Sequence, residues 1–195
     1  IKKLKQQGVY DNTIIIFSSD NGSSNEGGAD CEYFDSNGPF KNEFGWGKGF
    51  LYEGGIRMPL IVVWPGKIKE GCKSDLITAN WDFMPTACEM VKIKPAKMID
   101  GISYLPTLLG QENRQKKHDF LYWEFPQNEG QQAVRLGKWK GIRMNIKKGN
   151  MKIQLYDLAN DIQEQHDIAA QHPDIVKQIE YIMKKEHHTP DVDSF

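Results

Sequence analysis

Two short stretches of this chain are apolar without interruption. Residues 13–17 (Thr-Ile-Ile-Ile-Phe) and 60–64 (Leu-Ile-Val-Val-Trp) are β-branched and aromatic almost throughout, the pattern of strands buried on both faces. Ahead of the first, Ile1 to Gly8 reads as the last turns of a helix ended by a glycine, and residues 9–12 as a turn. Helix, turn and buried strand in that order predict an αβ unit of a parallel sheet. Residues 81–91 predict a helix, with Asp82 as its N-terminal cap and Pro85 in the first turn. A further helical turn at 105–109 is closed by Gly110.

The texture changes past residues 111–119 (QENRQKKHD), a charged segment without apolar periodicity. Short runs at 120–125, 132–136, 139–144 and 151–156 are strand candidates, and Gly137-Lys138 links the middle two as a hairpin. After Pro173, the residues Ile175, Val176, Ile179, Ile182 and Met183 fall on one face of a 3.6-residue period. Asp174 lies early in that helix and Lys184-Lys185 late, as the helix dipole favours. The expected fold class is therefore α/β, followed by a small α+β part in which an antiparallel sheet carries one C-terminal helix. The boundary falls at the charged segment, giving residues 1–110 and 111–195. The tail after His187 is expected to fray.

Composition narrows the function classes. The 195 residues are 39% hydrophobic and 26% charged, enough apolar material for a globular core. A net charge of -1 and a pI of about 6.6 exclude a general nucleic-acid binder, which needs a basic excess. No apolar run approaches the length of a membrane span. Cys31, Cys72 and Cys88 make neither a complete disulfide framework nor a C-x-x-C zinc pair, so buried or idle thiols are expected. A chain that opens inside a helical pattern at Ile1 reads as a fragment, so the missing signal peptide carries no information about localisation.

Residues 18–49 are rich in Gly, Asn, Ser and Asp, yet their aromatics mark an ordered functional loop. Ser18-Ser19-Asp20-Asn21-Gly22 follows the carboxyl end of a buried-type strand, where α/β sheets bind ligands. Asp20 and Asn21 offer hard oxygens with a single full charge, which suits Ca²⁺ or Mg²⁺ better than zinc. Asn-Gly is equally a common turn signal. Further on, Lys48 stands between Gly47 and Gly49, a setting that lets an ammonium approach a tetrahedral oxyanion such as sulfate or phosphate. The loop is not a Walker A motif, because Asn42 replaces its first glycine and Gly49 its Ser/Thr. A solvated loop lysine is the plain alternative. Glu53 and Arg57 flank the loop and are expected to pair and shape it. Trp46, close to Lys48, is the best placed of Trp46, Trp123 and Trp139 to stack on a sugar ring, with packing as the plainer role for all three. His118, His166 and His172 sit among polar residues and are expected at the surface.

These pieces occur in a recognisable order. Strand-Ser19-Asp20-Asn21-Gly22 is followed by Gly47-Lys48-Gly49-x-x-Tyr52-Glu53-Gly54-Gly55-x-Arg57-x-Pro59 and by a strand ending Trp64-Pro65-Gly66. Then come Trp81-Asp82-Phe83-Met84-Pro85-Thr86, Asp100-Gly101-Ile102-Ser103-Tyr104-Leu105-Pro106, Val134-Arg135-Leu136-Gly137-Lys138-Trp139-Lys140 and Leu155-Tyr156-Asp157-Leu158. Across nearly its whole length the chain resembles the type I sulfatases of the arylsulfatase A kind, in the alkaline-phosphatase-like superfamily.

The resemblance implies an alkaline-phosphatase-like α/β fold with a smaller C-terminal antiparallel subdomain. It implies hydrolysis of sulfate esters, of a sulfated carbohydrate or an aryl sulfate, by a formylglycine hydrate beside a single Ca²⁺. Asp20 and Asn21 match two of the calcium ligands, and Lys48 matches the lysine that contacts the substrate sulfate. Asn21 stands where two-zinc phosphatase relatives place a histidine, which favours calcium. The departures are as informative. None of the three cysteines lies in a Cys/Ser-x-Pro-x-Arg motif, so the formylglycine and the remaining ligands are expected upstream. The chain then reads as the C-terminal part of a sulfatase, inactive without the N-terminal part of the same protein. An extracytoplasmic location (periplasmic, secreted or lysosomal) goes with the family. The alternatives are a phosphatase or phosphodiesterase of the same superfamily and a non-catalytic carbohydrate-binding truncation. The two buried-type strands also imply an uncovered sheet edge or face.

Overall fold

The computed structural model describes residues 1–26 and 29–189. In chain order they form α1 (Lys2–Gln6), β1 (Ile15–Ser18), α2 (Cys31–Phe34), α3 (Glu53–Ile56), β2 (Leu60–Val63), α4 (Phe83–Met90) and α5 (Leu105–Leu108). There follow β3 (Leu121–Phe125), β4 (Gln131–Leu136), β5 (Trp139–Met144), β6 (Ile153–Asp157) and α6 (Pro173–Glu186). Contacts gather the chain into two units interleaved in sequence: Ile1–Ser18 with Pro59–His118, and Ser19–Met58 with the residues from Asp119 onward.

In the first unit β1 and β2 sit where the apolar runs predict, but not as predicted. They form a two-stranded antiparallel ribbon, with Ile15 opposite Val63 and Ser18 opposite Leu60. The expected parallel pairing and two-sided burial are corrected: Phe17 is 61% exposed and Ile61 55%. An unbroken apolar run reports that both faces suit burial; it does not report which strand lies alongside. The uncovered face that the sequence implies is present.

Asp82 also departs from expectation. It precedes α4 but does not cap it with its side chain. Its Oδ2 accepts the Ala79 N–H at 2.8 Å and its Oδ1 the Ile102 N–H at 2.8 Å. His118 Nε2 lies 2.8 and 3.0 Å from the same two oxygens. A carboxylate this buried needs several donors, and a distant imidazole supplies the third. His118 is accordingly only 11% exposed, rather than a surface residue.

The second unit carries the antiparallel sheet β3-β4-β5-β6, built from consecutive neighbours. Leu136 pairs with Trp139 across the Gly137-Lys138 turn, whose glycine has φ +56. A left-handed turn residue of this kind is what a two-residue hairpin requires. One face of the sheet packs under α6, where Val134, Ile153 and Leu155 meet Ile179, Ile182 and Met183. Gly141 makes that approach possible, because a Cβ there would lie 2.6 Å from Ile179 Cγ2. The antiparallel sheet with one C-terminal helix stands as expected. The other face is covered by the loop before α3: Leu51 and Tyr52 pack on Ala133, Ile142, Tyr156 and Leu158. The frayed tail expected after His187 falls largely on residues 190–195, outside the described residues. His187 itself is docked, with Nδ1 2.6 Å from Glu124 Oε1. All three cysteines are free, and Cys31 and Cys88 are buried.

Candidate functional site

The loop bearing Lys48 is held from three directions. From the sheet, the side-chain amides of Asn128 and Gln131 donate to Gly49 O at 2.8 and 2.9 Å, and Gln131 Oε1 accepts the Leu51 N–H at 3.2 Å. Gly49 has φ +89, a conformation that a residue with a Cβ rarely adopts. From the 20–23 segment, Ser23 O accepts the Lys48 N–H at 2.8 Å, and the Gly22 N–H donates to Gly55 O at 2.9 Å. Those two bonds bring Asp20 and Asn21 beside the lysine loop, although the segments lie far apart in sequence. Around α3 the packing is backbone on backbone: a Cβ on Gly55 would stand 2.1 Å from Phe50 O and 2.4 Å from Gly47 O. A Cβ on Gly22 would stand 1.8 Å from Gly54 O.

The third hold is a buried charge cluster that the sequence does not reveal. Glu53, at the start of α3, accepts from Lys140 Nζ of β5 at 2.8 Å. Its other oxygen lies 3.2 Å from Arg57 Nη1 and 3.6 Å from Arg135 Nη1. Glu164 Oε2 accepts the Glu53 N–H at 2.7 Å, and its Oε1 lies 3.6 Å from Lys140 Nζ without a hydrogen bond. Lys140 is fully buried, and Glu53 and Glu164 are nearly so. Burial pushes the Glu53 carboxyl up, but Lys140, Arg135 and Arg57 outweigh it and hold the group below its usual range. Burial pushes the Glu164 carboxyl up to about 7; Lys140 pulls it back only in part, and Glu53 adds to the rise. The expected Arg57–Glu53 pair is present. Glu164 has no local signal in the sequence. One signal for Lys140 exists: period two puts it on the same strand face as buried Ile142, where a lysine must find a carboxylate.

Lys48 itself is half exposed, and its nearest acid is Glu26, at 3.9 Å. That separation makes a weak, solvated contact. Asp20 is exposed, and Ser19 Oγ lies 3.5 Å from its Oδ1. The Asn21 amide nitrogen donates to Gly22 O at 2.8 Å, so its oxygen is the end left for a cation. A carboxylate and an amide carbonyl side by side suit a hard cation, which takes about six to eight oxygens as calcium. Among the described residues no group of three or more His, Cys, Asp or Glu could hold a metal ion. Asp20 and Asn21 by themselves offer only a few of the oxygens that a calcium ion takes. Trp46 does not present a free face: Tyr52 lies 3.9 Å from it ring to ring, and Lys41 Nζ sits 4.3 Å from its centroid. No helix among the described residues is long and apolar enough to cross a membrane.

Comparison with known proteins shows the family. Residues 42–189 match the family described as N-sulphoglucosamine sulphohydrolase, C-terminal. An uncharacterized sulfatase of Schizosaccharomyces pombe is 31% identical over 229 aligned residues, covering 97% of this chain and 40% of that protein. A protein solved in complex with its substrate D-glucosamine-2-N,6-O-disulfate superposes with a TM-score of 0.72 at 26% identity, over 94% of this chain and 36% of that one. The phosphonate monoester hydrolase of Agrobacterium radiobacter superposes with a TM-score of 0.67 at 25% identity, over 94% and 36%. The chain therefore spans roughly two fifths of the length of such relatives. The mixed α/β architecture with antiparallel sheets is that of the sulfatase and alkaline-phosphatase-like neighbours. Lysine loop, C-terminal sheet and covering helix all fall within the matched region, and the chain belongs to the sulfatase family, whose C-terminal part it carries.

Proposed function

We propose that this chain supplies the sulfate-binding lysine and part of the calcium shell of an enzyme that hydrolyses sulfate esters to an alcohol and inorganic sulfate. The observation that carries the reading is the pair of backbone bonds, Gly22 N–H to Gly55 O and Lys48 N–H to Ser23 O, which set Asp20 and Asn21 beside Lys48. In this reading the Lys48 ammonium lies against non-bridging sulfate oxygens and stabilises the negative charge redistributed over them as the ester bond breaks. Asp20 and Asn21 would hold Ca²⁺, which supplies further positive charge to the same oxygens when bound. The nucleophile, a formylglycine, would come from outside these residues, since no Cys/Ser-x-Pro-x-Arg motif occurs among them. The 195-residue chain is accordingly proposed to be inactive alone. Its substrates are proposed to be sulfated carbohydrates or aryl sulfates, and its location extracytoplasmic.

The test is direct. Lys48→Ala in the full-length protein should lower kcat/KM for a sulfate ester by about a hundredfold or more. An unchanged kcat/KM would remove Lys48 from the site. Turnover of 4-nitrophenyl sulfate by the 195-residue chain would overturn the proposed inactivity. One observation favours a second reading, the likeness to a phosphonate monoester hydrolase. Preference for 4-nitrophenyl phenylphosphonate over 4-nitrophenyl sulfate would decide for it.

A further inference from the structure

The backbone contacts of the lysine loop converge on α3, and α3 enters the sheet through Glu53. Leu51 and Tyr52 seat the preceding residues by apolar packing, which is tolerant of small slides. The Glu53 contacts are not tolerant. Its backbone N–H is taken by Glu164, one carboxylate oxygen by Lys140 and the other by Arg57 and Arg135, so both ends of one residue are fixed at once. Apolar residues of similar volume would fill this space without the cost of burying charge, so the cluster's distinctive contribution is a directional fit.

We infer that Glu53, Lys140 and Glu164 are positioning residues for Lys48: the cluster sets the register of α3 on the sheet and, through α3, the place of the Lys48 loop against the segment bearing Asp20 and Asn21. The catalytic meaning of that placement rests on the proposed reading of Lys48 as the sulfate contact; the mechanical coupling does not. Neither Lys140 nor Glu164 is required to touch substrate. Both act through the backbone of α3, by way of Gly55 O and the close packing of Gly55 on Gly47.

The coupling carries a pH dependence. Glu164 faces Lys140 of β5, Glu53 of α3 and Arg135 of β4, with the phenols of Tyr52 and Tyr156 and the Asp167 carboxylate around them. Below about pH 7 its carboxyl is neutral, and Lys140 serves Glu53 alone. Above that, two buried carboxylates compete for one ammonium, and the hold on α3 slackens. The loop therefore tightens in acid and loosens toward alkaline pH.

Amide hydrogen exchange of the ¹⁵N-labelled 195-residue chain, corrected for intrinsic rates, tests this without substrate. Between pH 6 and 8 the amides of Gly22, Lys48 and Phe50 should lose about tenfold in protection through local opening, exchanging faster throughout than those of Ile179 and Ile182 in α6. In Glu164→Gln, which keeps an acceptor for the Glu53 N–H but does not ionise, the pH response of the loop should vanish. In Lys140→Met the loop should be unprotected at pH 8, and adding Glu164→Gln should restore it in part. A loop that ignores pH in the unaltered chain, a response that survives Glu164→Gln, or loop amides that exchange only by global unfolding each overturns the inference. If Lys140→Met does not fold, Glu164→Gln decides alone. Titration of Lys48→Ala with inorganic sulfate keeps the two readings apart: binding unchanged from the parent would remove the sulfate role and leave the exchange result standing.

Discussion

Replacing Lys140 by Met removes an ammonium that is fully buried, 2.8 Å from one carboxylate oxygen and 3.6 Å from another. The thioether fills most of the space, so the cost is electrostatic. At pH 6 Glu164 is neutral, and the loss falls on Glu53, which keeps Arg57 at 3.2 Å and Arg135 at 3.6 Å. We expect about 2–3 kcal/mol there, the low end for breaking a buried pair. Without Lys140 to pull it down, the Glu164 pKa rises above 7, so the variant binds a proton that the parent has released. Each pH unit inside that gap adds about 1.4 kcal/mol, and the cost at pH 8 should reach about 3–4 kcal/mol. Urea unfolding followed by the fluorescence of Trp123 and Trp139, at both pH values, measures the difference. Glu164→Gln added to Lys140→Met should recover the alkaline increment, giving a coupling energy of about 1 kcal/mol at pH 8 and little at pH 6. Equal costs at the two pH values, with additive single variants, would refute the assigned charge states.

Three further outcomes follow from the same geometry. Glu164 titrates at about 7 in the fold against 4.5 in the open chain, a raised pKa, so its stabilisation is complete below pH 4.5 and lost as pH climbs to 7. Glu164→Gln should remove a slope worth about 3 kcal/mol over that window in urea midpoints, whatever fixed offset the amide adds. Gly55→Ala sets a Cβ against two carbonyl oxygens and should cost about 3 kcal/mol or more, whereas Gly110→Ala, in open space at φ +69, should cost only about 1–2 kcal/mol for its left-handed backbone; thermal melts compare them. Asp82→Ala strands the Ala79 and Ile102 amides and the His118 ring, and should cost about 3 kcal/mol by urea unfolding.

Much of the second unit was legible because its signals are local. Short strand-like runs at 132–136 and 139–144, a Gly137-Lys138 turn between them and a 3.6-residue stripe from Ile175 to Met183 each specify an element within a few residues. The Asp20, Asn21 and Lys48 segments were legible as chemistry, but only the backbone bonds at Gly22 and Lys48 put them in one place. What stayed hidden depends on partners distant in sequence. Asp82 looks like a helix cap until Ile102 and His118 arrive to claim its oxygens. Glu164 carries no local signal of its role, which appears only where it meets the Glu53 N–H and Lys140. The apolar runs at 13–17 and 60–64 mark strands correctly, yet hydrophobicity alone carries no direction, and the pair came out antiparallel.

The charge cluster also fixes an order of events during synthesis. The four strands of the sheet pair with their nearest neighbours in sequence, so their loops are short and cheap to close. Glu53 has no such neighbour: Lys140 emerges from the ribosome 87 residues after it and Glu164 111 residues after it. Until both are out, α3 has no socket, and the glycine-packed loop around it has no template. The segment bearing Lys48 is made before the partners that hold it and is finished after them. A chain that ends before residue 164 would therefore carry Glu53, Arg57, Arg135 and Lys140 without Glu164, and an unlocked lysine loop.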